Sequence, residues 1–507
     1  MFSLKNSIIV IDAVLFLYKT GESMMDATIR PYLIRAVCHK FLKDINNKNE
    51  TICSSIDEYP ELEDDIQKQS GYYLMYYRIL LNVPAIVLSM FCGSYSDKYG
   101  RKPIILFPCF GSMLAVILYG TSNLVSAYRI PLIIGGAAMQ GICGKSSMIT
   151  MAINSLVFDL SDEKNRTRHF GLLLAMNFLG GSLGALFSGL FQDVFDLNTV
   201  FASIMVSYLI ALTLTLTLLN DNEKKTDKAD EKSCSLFQIQ HIKETIAVIS
   251  KPRPGNNRTV LITLIIMSIV NQMCKVGETD VKIMFVTGSP LSWSESWFGY
   301  LLSSEYALMG VGLLLLMPLF TNKLGLSDRI ILTIGLLSNA SKLIFLSFST
   351  KSWMILASVG IGSFIGMIGA SLRSLLSKTV SEDEAGKMFA ILSSGETIAK
   401  FLGTIAFVNI YSETAHIFRG MAFLIEAFSF FPILVAVVLI VFNRRQNLQQ
   451  SATDHATVNG SDTIKAEDQG HQIHAQVPSK TYPSSPQLSA QDNSVYIIIP
   501  ELSKMCK

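Results

Sequence analysis

Apolar runs of about 20 residues alternate with short polar segments along most of this chain of 507 residues. A helix of that length crosses a hydrocarbon core about 30 Å thick. The pattern therefore predicts an all-α membrane protein with twelve spanning helices. Their predicted positions are 7–27, 71–93, 103–122, 129–155, 169–190, 199–219, 259–285, 297–319, 329–349, 353–376, 386–409 and 417–442.

Two long polar stretches interrupt the series, at 30–70 and at 220–258. The second stretch is predicted to be a linker between two six-helix halves, 1–219 and 259–442. Such a division is expected of a transporter built from two similar halves. Beyond them, 443–507 is rich in Gln, Ser and Asp, and this composition predicts a disordered tail.

Lysine and arginine concentrate after helices two and four, in the linker and directly after helix twelve. Short loops rich in these residues stay in the cytosol. We therefore expect both termini and the linker to be cytosolic, and 30–70 to be an extracellular or lumenal loop.

Sequence features on each side fit this orientation. Asn49 begins a glycosylation sequon in 30–70. Cys38 and Cys53 in the same segment either form a disulfide or remain free thiols. In the tail, Tyr496 and the three isoleucines after it fit a sorting signal read by endosomal or lysosomal adaptors. The predicted location is the plasma membrane or an endosomal or lysosomal membrane.

Composition narrows the function classes. Half of the chain is hydrophobic and 16% is charged, against about 25% charged residues in soluble domains. This excludes a secreted, cytosolic or nucleic-acid-binding protein. The cysteines form no CxxC pair or Cys/His cluster, so no metal site is predicted. No Ser/His, paired-Asp or HExxH constellation occurs within the predicted spans, so we expect neither an enzyme nor a cofactor.

One loop carries a specific motif, between helices two and three. It reads Gly93-Ser94-Tyr95-Ser96-Asp97-Lys98-Tyr99-Gly100-Arg101-Lys102 and resembles the G-x-x-x-D-x-x-G-R-[RK] loop of the major facilitator superfamily. Gly93 permits a close helix approach and Gly100 a tight turn. Asp97, with the cations Arg101 and Lys102, is predicted to form a clasp between the two halves on the cytosolic side.

Ionisable residues inside the predicted spans indicate a cavity or a buried partner, because each costs roughly 2.5–3.5 kcal/mol on insertion scales. Cations contributed by both halves favour an anionic solute. Carboxyl groups can accept a coupling proton, because burial favours their neutral form. The candidate cations are Lys145, Lys275 and Arg373, and the candidate carboxyl groups are Asp12, Glu278, Asp280 and Glu305.

Spacing leaves alternatives open for several of these residues. Glu396 and Lys400 lie four residues apart and are able to pair with each other, as are Lys275 and Glu278, three apart. Arg373 follows a glycine-rich stretch and offers a planar fork for a carboxylate or phosphate. It acts either in binding and coupling or in a cytosolic gate salt bridge.

A second set of motifs resembles solute carrier family 46. The matching segments are Ser289-Pro290-Leu291-Ser292-Trp293, Phe298-Gly299-Tyr300, Leu372-Arg373-Ser374-Leu375-Leu376-Ser377-Lys378 and Glu384-Ala385-Gly386-Lys387-Met388-Phe389-Ala390. The resemblance implies the major facilitator fold and uptake of organic anions, often with protons. The chain departs from the folate-type members at three positions, where it has Met176, Lys275 and Ser292.

Together these features predict a secondary active transporter that moves an organic anion with protons by alternating access. Its partners would be the solute, protons and the lipid bilayer, and the proton gradient would supply the energy. The departures at Met176 and Lys275 leave a facilitative carrier without proton coupling as an alternative. A non-transporting sensor or scaffold that uses its tail for docking is the other.

Overall fold

A computed structural model describes 4–44, 53, 60–163, 165–194, 196–219, 239–253, 257–287, 291, 293 and 295–436. Four predicted features lie outside these residues: the sequon at Asn49, Ser292, the tail with Tyr496, and 220–238 of the linker. Within the described part the chain is helical. The helices are α1 Leu4–Asp44, α2 Pro60–Tyr99, α3 Lys102–Leu124, α4 Arg129–Ile142, α5 Lys145–Leu160, α6 Arg166–Val194, α7 Leu197–Leu218, α8 Ile239–Ser250, α9 Asn257–Thr287, α10 Glu295–Pro318, α11 Asp328–Ser347, α12 Ser352–Ile361, α13 Gly366–Ser377, α14 Ala385–Thr414 and α15 Met421–Ala436.

A helix overlaps each of the twelve predicted spans. In the described part, nine helical segments are long and apolar enough to cross a membrane. Two predicted spans are each divided into two helices. Span 129–155 breaks between α4 and α5, and span 353–376 breaks at a 3₁₀ turn, Gly362–Phe364, between α12 and α13.

The predicted loop 30–70 is shorter in the structure. The first helix continues to Asp44 and the second begins at Pro60, because the polar residues there alternate with apolar ones that pack together. Cys38, Leu42 and Ile66 form a small separate core against Phe41 and Cys53. The structure joins Cys38 to Cys53 by a disulfide at this end.

The predicted linker contains a helix, α8, which lies against both halves. Its Thr245 hydroxyl donates a 3.1 Å hydrogen bond to the Met90 carbonyl oxygen on α2. Just after α8, Arg253 donates to Glu384 (2.7 Å) and to the Thr379 carbonyl oxygen (2.8 Å), both in the second half. The linker therefore packs against both halves in addition to connecting them.

The two halves meet along two helix pairs, α2 with α14 and α6 with α10. Glycines permit the close approach. A Cβ on Gly93 would stand 2.5 Å from the Ala390 Cβ on α14, and a Cβ on Gly310 would stand 2.7 Å from Leu179 on α6. These seams border the central space between the halves.

Candidate functional site

A cavity of about 150 Å³ lies between the two halves. It is lined by α1, α5 and α6 of the first half and by α9, α13 and α14 of the second. Most of the charged groups on its wall are cationic. They are Lys19, Lys275, Arg373, Glu396 and Lys400.

The cations of the first half share one carboxylate. Lys19 donates a 2.6 Å hydrogen bond to Glu22 and another to the Ser146 hydroxyl. Lys145 Nζ lies 3.9 Å from the second oxygen of Glu22. Lys145 is thus beside the cavity through Glu22, and Lys19 and Glu22 form the pair that their spacing of three residues allows.

The cavity also borders a break in the fourth span. Gly144 and Lys145 both have positive φ, +87° and +46°, and α5 begins at this point. Ser146 and Ser147, in the first turn of α5, line the cavity. A helix N-terminus carries a partial positive charge, so it favours an anion in the adjoining space. Positive φ is rare for a residue with a Cβ, and such strain persists only where the surrounding structure holds it.

Arg373 pairs with Glu396 across the cavity wall. Its Nη2 lies 3.2 Å from Oε2 and 3.3 Å from Oε1 of that carboxylate, and Ser268 donates a 2.8 Å hydrogen bond to Oε1. Of the alternatives left open for Glu396, the pairing with Lys400 is not the one in the structure, because the arginine of α13 contacts that carboxylate.

Lys275 and Lys400 have no carboxylate partner among the residues that the structure describes. The Lys275 ammonium lies 4.2 Å from the ring centroid of Phe178 and 5.7 Å from that of Tyr306. Aromatic faces attract a cation but do not neutralise it. Two cations thus face the cavity without a counter-ion from the described part of the chain.

A second set of buried charges lies behind Lys275 in the second half. The ammonium of Lys282 is 2.6 Å from Glu278 and 2.7 Å from Glu305, and Lys342 donates to Glu278. A pairing of Glu278 with Lys275 is therefore replaced by these two lysines. Lys282, which the sequence analysis did not single out, connects the two predicted carboxylates. We call Glu278, Lys282, Glu305 and Lys342 the C-half cluster.

A small cavity of about 20 Å³ touches this cluster and shares Asn271, Lys275 and Ile365 with the central cavity. Lys275 therefore lies between the central cavity and the small cavity and borders both. Glu278 and Glu305, predicted as site residues, border the small cavity and not the central one.

The remaining predicted carboxyl groups lie elsewhere. Asp12 is buried, and neither of its carboxylate oxygens has a hydrogen-bond partner in the described part of the chain. It lies on the same face of α1 as Leu15 and Lys19, which line the cavity, but closer to the start of that helix. Asp280 accepts a 2.5 Å hydrogen bond from Thr404. Neither residue borders the central cavity.

The motif residues join the halves at the end where α2 finishes. Asp97 is 2.6 Å from Arg101 and accepts hydrogen bonds from the backbone N–H groups of Gly386 (3.0 Å) and Lys387 (3.2 Å), at the start of α14. Gly100 has a φ of +102°, which glycine adopts without strain.

Lys102, the other cation predicted for the clasp, has a hydrogen bond within the first half. Its ammonium group, at the start of α3, donates to the Leu216 carbonyl oxygen (2.8 Å) on α7. Arg101 instead extends the network, with a 3.2 Å contact to Asp159. Among the described residues, no group of three or more His, Cys, Asp or Glu side chains could hold a metal ion.

The sequence profile of the Major Facilitator Superfamily matches residues 79–404, which is more than half of the chain. The protein belongs to the major facilitator superfamily. Crystal structures of superfamily members share this fold at low sequence identity. The human organic anion transporter MFSD10 has a TM-score of 0.69 at 13% identity, over 86% of this chain and 100% of that one.

Within the superfamily, similarity to members of solute carrier family 46 confirms the resemblance predicted from the motifs. The lysosomal proton-coupled steroid conjugate and bile acid symporter of Gallus gallus is 22% identical, over 83% of this chain and 91% of that protein. The proton-coupled folate transporter of Rattus norvegicus is 23% identical, over 76% and 83%. A probable peptidoglycan muropeptide transporter of Drosophila melanogaster is 25% identical, over 77% of each.

Superfamily membership fixes the class of function. The chain is a multi-pass membrane protein and a secondary active transporter, not an enzyme. The central cavity, between the halves and on the six helices that line it, is the candidate site for its small-molecule solute.

Proposed function

We propose that this transporter moves an organic anion together with protons, by alternating access around the central cavity. The observation that carries the proposal is the pair of cavity lysines, Lys275 and Lys400, that have no carboxylate partner among the described residues. A buried cation needs a compensating charge, and a bound anionic solute supplies it for both.

Two further features support an anionic solute. The N-terminus of α5 adds its partial positive charge at Ser146 and Ser147. Arg373 lines the cavity beside its bond to Glu396, and a guanidinium group binds carboxylates and phosphates through paired hydrogen bonds. The names of the relatives, two of them proton-coupled, agree with a proton-driven anion carrier.

The size of the cavity bears on the transport cycle. Pockets that hold drug-sized ligands have about 300–1,000 Å³, and this cavity has about 150 Å³. We therefore infer that the solute enters when the halves move apart at the end opposite the clasp. The clasp at Asp97 keeps the cytosolic end closed in that state.

The positive-inside pattern supports cytosolic termini, with the Cys38–Cys53 end on the extracellular or lumenal side. In this orientation, an acidic exterior or lumen drives the solute into the cytosol, and no cofactor is required. We propose the plasma membrane or a lysosomal membrane as the site of action, with adaptor binding at Tyr496.

The test is uptake of a panel of labelled anionic, neutral and cationic solutes at acidic and neutral external pH. We expect one anionic class to enter faster at acidic pH. Lys275→Gln combined with Lys400→Gln should raise the KM for that solute about tenfold or more, which corresponds to a loss of at least about 1.4 kcal/mol of binding free energy for the pair. Lys351→Gln, at an exposed lysine, is the matched control.

Preferred uptake of a neutral or cationic solute, unaffected by the double substitution, would contradict the anion proposal. Anion uptake that does not change with pH would favour the facilitative carrier instead.

A further inference from the structure

A fifth charged residue adjoins the C-half cluster. Glu426, on α15, is 1% exposed, and its Oε1 has no hydrogen-bond partner within the described residues. It lies within electrostatic range of Glu278, Lys282 and Lys342. Unlike the two other glutamates, it forms no ion pair with either lysine in the structure.

The charges of the cluster balance without Glu426. Lys282 and Lys342 neutralise Glu278 and Glu305 through three contacts of 2.6–3.5 Å and through the hydrogen bond that Lys342 donates to Glu278. An ionised Glu426 leaves one uncompensated negative charge, and at the centre of a bilayer an uncompensated charge is costly. A proton on Glu426 removes that charge without moving any side chain.

The groups within electrostatic range of Glu426, or in contact with them, come from three helices. Helix α9 contributes Cys274, Glu278 and Lys282, and α11 contributes Lys342. On its own helix, Ser429 lies one turn further on and contacts Cys274 at 3.1 Å. Glu305 of α10 is connected to this set through Lys282.

Lys275 connects the cluster to the central cavity. It is next to Cys274 and one turn before Glu278, and it lines both cavities. A negative charge on the cluster therefore attracts the same ammonium group that faces the solute. Since opposite charges within a low-dielectric interior interact strongly, the two anions compete for this one cation.

We propose that Glu426 carries the coupling proton, and that the C-half cluster and the solute compete for Lys275. This rests on the proposed function and deepens it. A proton from the acidic side binds the Glu426 carboxylate, the cluster becomes neutral, and Lys275 is free to bind the anion. On the cytosolic side the proton leaves, the cluster regains its negative charge, Lys275 turns to it, and the anion dissociates.

The first experiment uses the full-length transporter in proteoliposomes with the anionic solute found in the uptake panel. In Glu426→Gln, we expect solute exchange at equal concentrations to persist, while proton influx and the acceleration by external acid disappear. Glu413→Gln removes an exposed carboxyl group from the same half and is the matched control, with both properties retained. Glu426→Asp keeps a carboxyl group, so acid stimulation should persist at a lower rate.

Proton influx and acid stimulation that survive in Glu426→Gln would overturn the assignment. So would their loss in Asp12→Asn alone, because Asp12 is the other buried carboxyl group without a hydrogen-bond partner in the described part.

The second experiment needs no transport. Infrared difference spectra of the purified protein between acidic and alkaline pH should show loss of a protonated-carboxyl C=O band in the wild type and in Glu413→Gln. The band should be missing in Glu426→Gln. An unchanged band in that variant overturns the proton site even if the solute proposal holds, whereas a wild type without anion uptake but with this band contradicts only the proposed function.

Discussion

The contact between Arg373 and Glu396 bears on two alternative roles of Arg373, solute binding and a gate salt bridge. The pair lies on the cavity wall, 23 residues apart, and Ser268 from a third helix binds the same carboxylate. A gate salt bridge needs only the pair, whereas a solute site needs the guanidinium group itself. Substituting Arg373 alone, and then Arg373 together with Glu396, distinguishes these two roles.

Arg373→Ala should abolish uptake and destabilise the protein by about 3–5 kcal/mol, because it leaves Glu396 without its cation. Arg373→Ala combined with Glu396→Gln should restore thermal stability and surface expression but not uptake. Uptake and thermal unfolding of the single and double variants provide the measurement. Recovery of uptake in the double variant would show that Arg373 acts only through the salt bridge.

For single residues, the sequence predicted which charged residues belong to the site better than it predicted their ion-pair partners. Lys275 and Arg373 were recognised because a charge in an apolar run is conspicuous. The partner of Glu396 was not, since spacing along one helix favours Lys400 whereas the arginine approaches from α13. Lys282 was overlooked because it stands near the end of its span, and only the packing of α9 against α10 and α11 reveals its two carboxylates.

The start of α14 is the element on which the clasp depends. The Asp97 carboxylate accepts two backbone N–H groups there, and a Cβ on Gly386 would stand 2.4 Å from that carboxylate. The Asp97 carboxylate therefore binds backbone groups of the second half and not a particular side chain there. Helix α8 adds a second connection on the same end, through Thr245 and Arg253.

Asp97→Ala should impair cycling more than binding. Hydrogen bonds to a charged group contribute about 1.5–3 kcal/mol each, so their loss shifts the balance of open and closed states at least about tenfold. We expect a lower maximal uptake rate with little change in KM. The measurement is initial uptake over a range of solute concentrations, with Asp97→Glu as the variant that keeps the carboxylate. A raised KM at an unchanged maximal rate would contradict the clasp.

Elements were predicted well where a long apolar run defines them and poorly elsewhere. All twelve predicted positions carry a helix, but the break at Gly144 is a backbone feature that apolar periodicity does not encode. The extensions of α1 and α2 were taken for a loop, because their polar residues lack a membrane-length apolar run. Helix α8 was missed for the same reason, as only 12 residues form it.

For the whole molecule, alternating access requires the two halves to separate where they now touch. The Ser89 and Ser394 hydroxyl oxygens are 2.7 Å apart across the α2–α14 seam. The Thr28 and Ser188 hydroxyl oxygens are 3.0 Å apart within the first half. The first contact must break during the cycle, and the second need not.

Ser89→Cys with Ser394→Cys should form a disulfide under oxidation that stops uptake, and a reductant should restore it. Thr28→Cys with Ser188→Cys is the matched control, since a bridge inside one half leaves the rocking motion free. Uptake before and after oxidation, with gel mobility to show bridge formation, tests this. Undiminished uptake through a fully formed 89–394 bridge would contradict rigid-body rocking at this seam.

The first helix also has a mechanical consequence. With 41 residues it is about 60 Å long, twice the thickness of the hydrocarbon core, so it projects well beyond the bilayer beside the start of α2. The disulfide and the Cys38 core stiffen that projection at its tip. It is therefore a lever fixed to one half: a tilt of about 10° displaces a point 30 Å from the pivot by about 5 Å. A fluorescent label at the tip would report each stroke of the transporter.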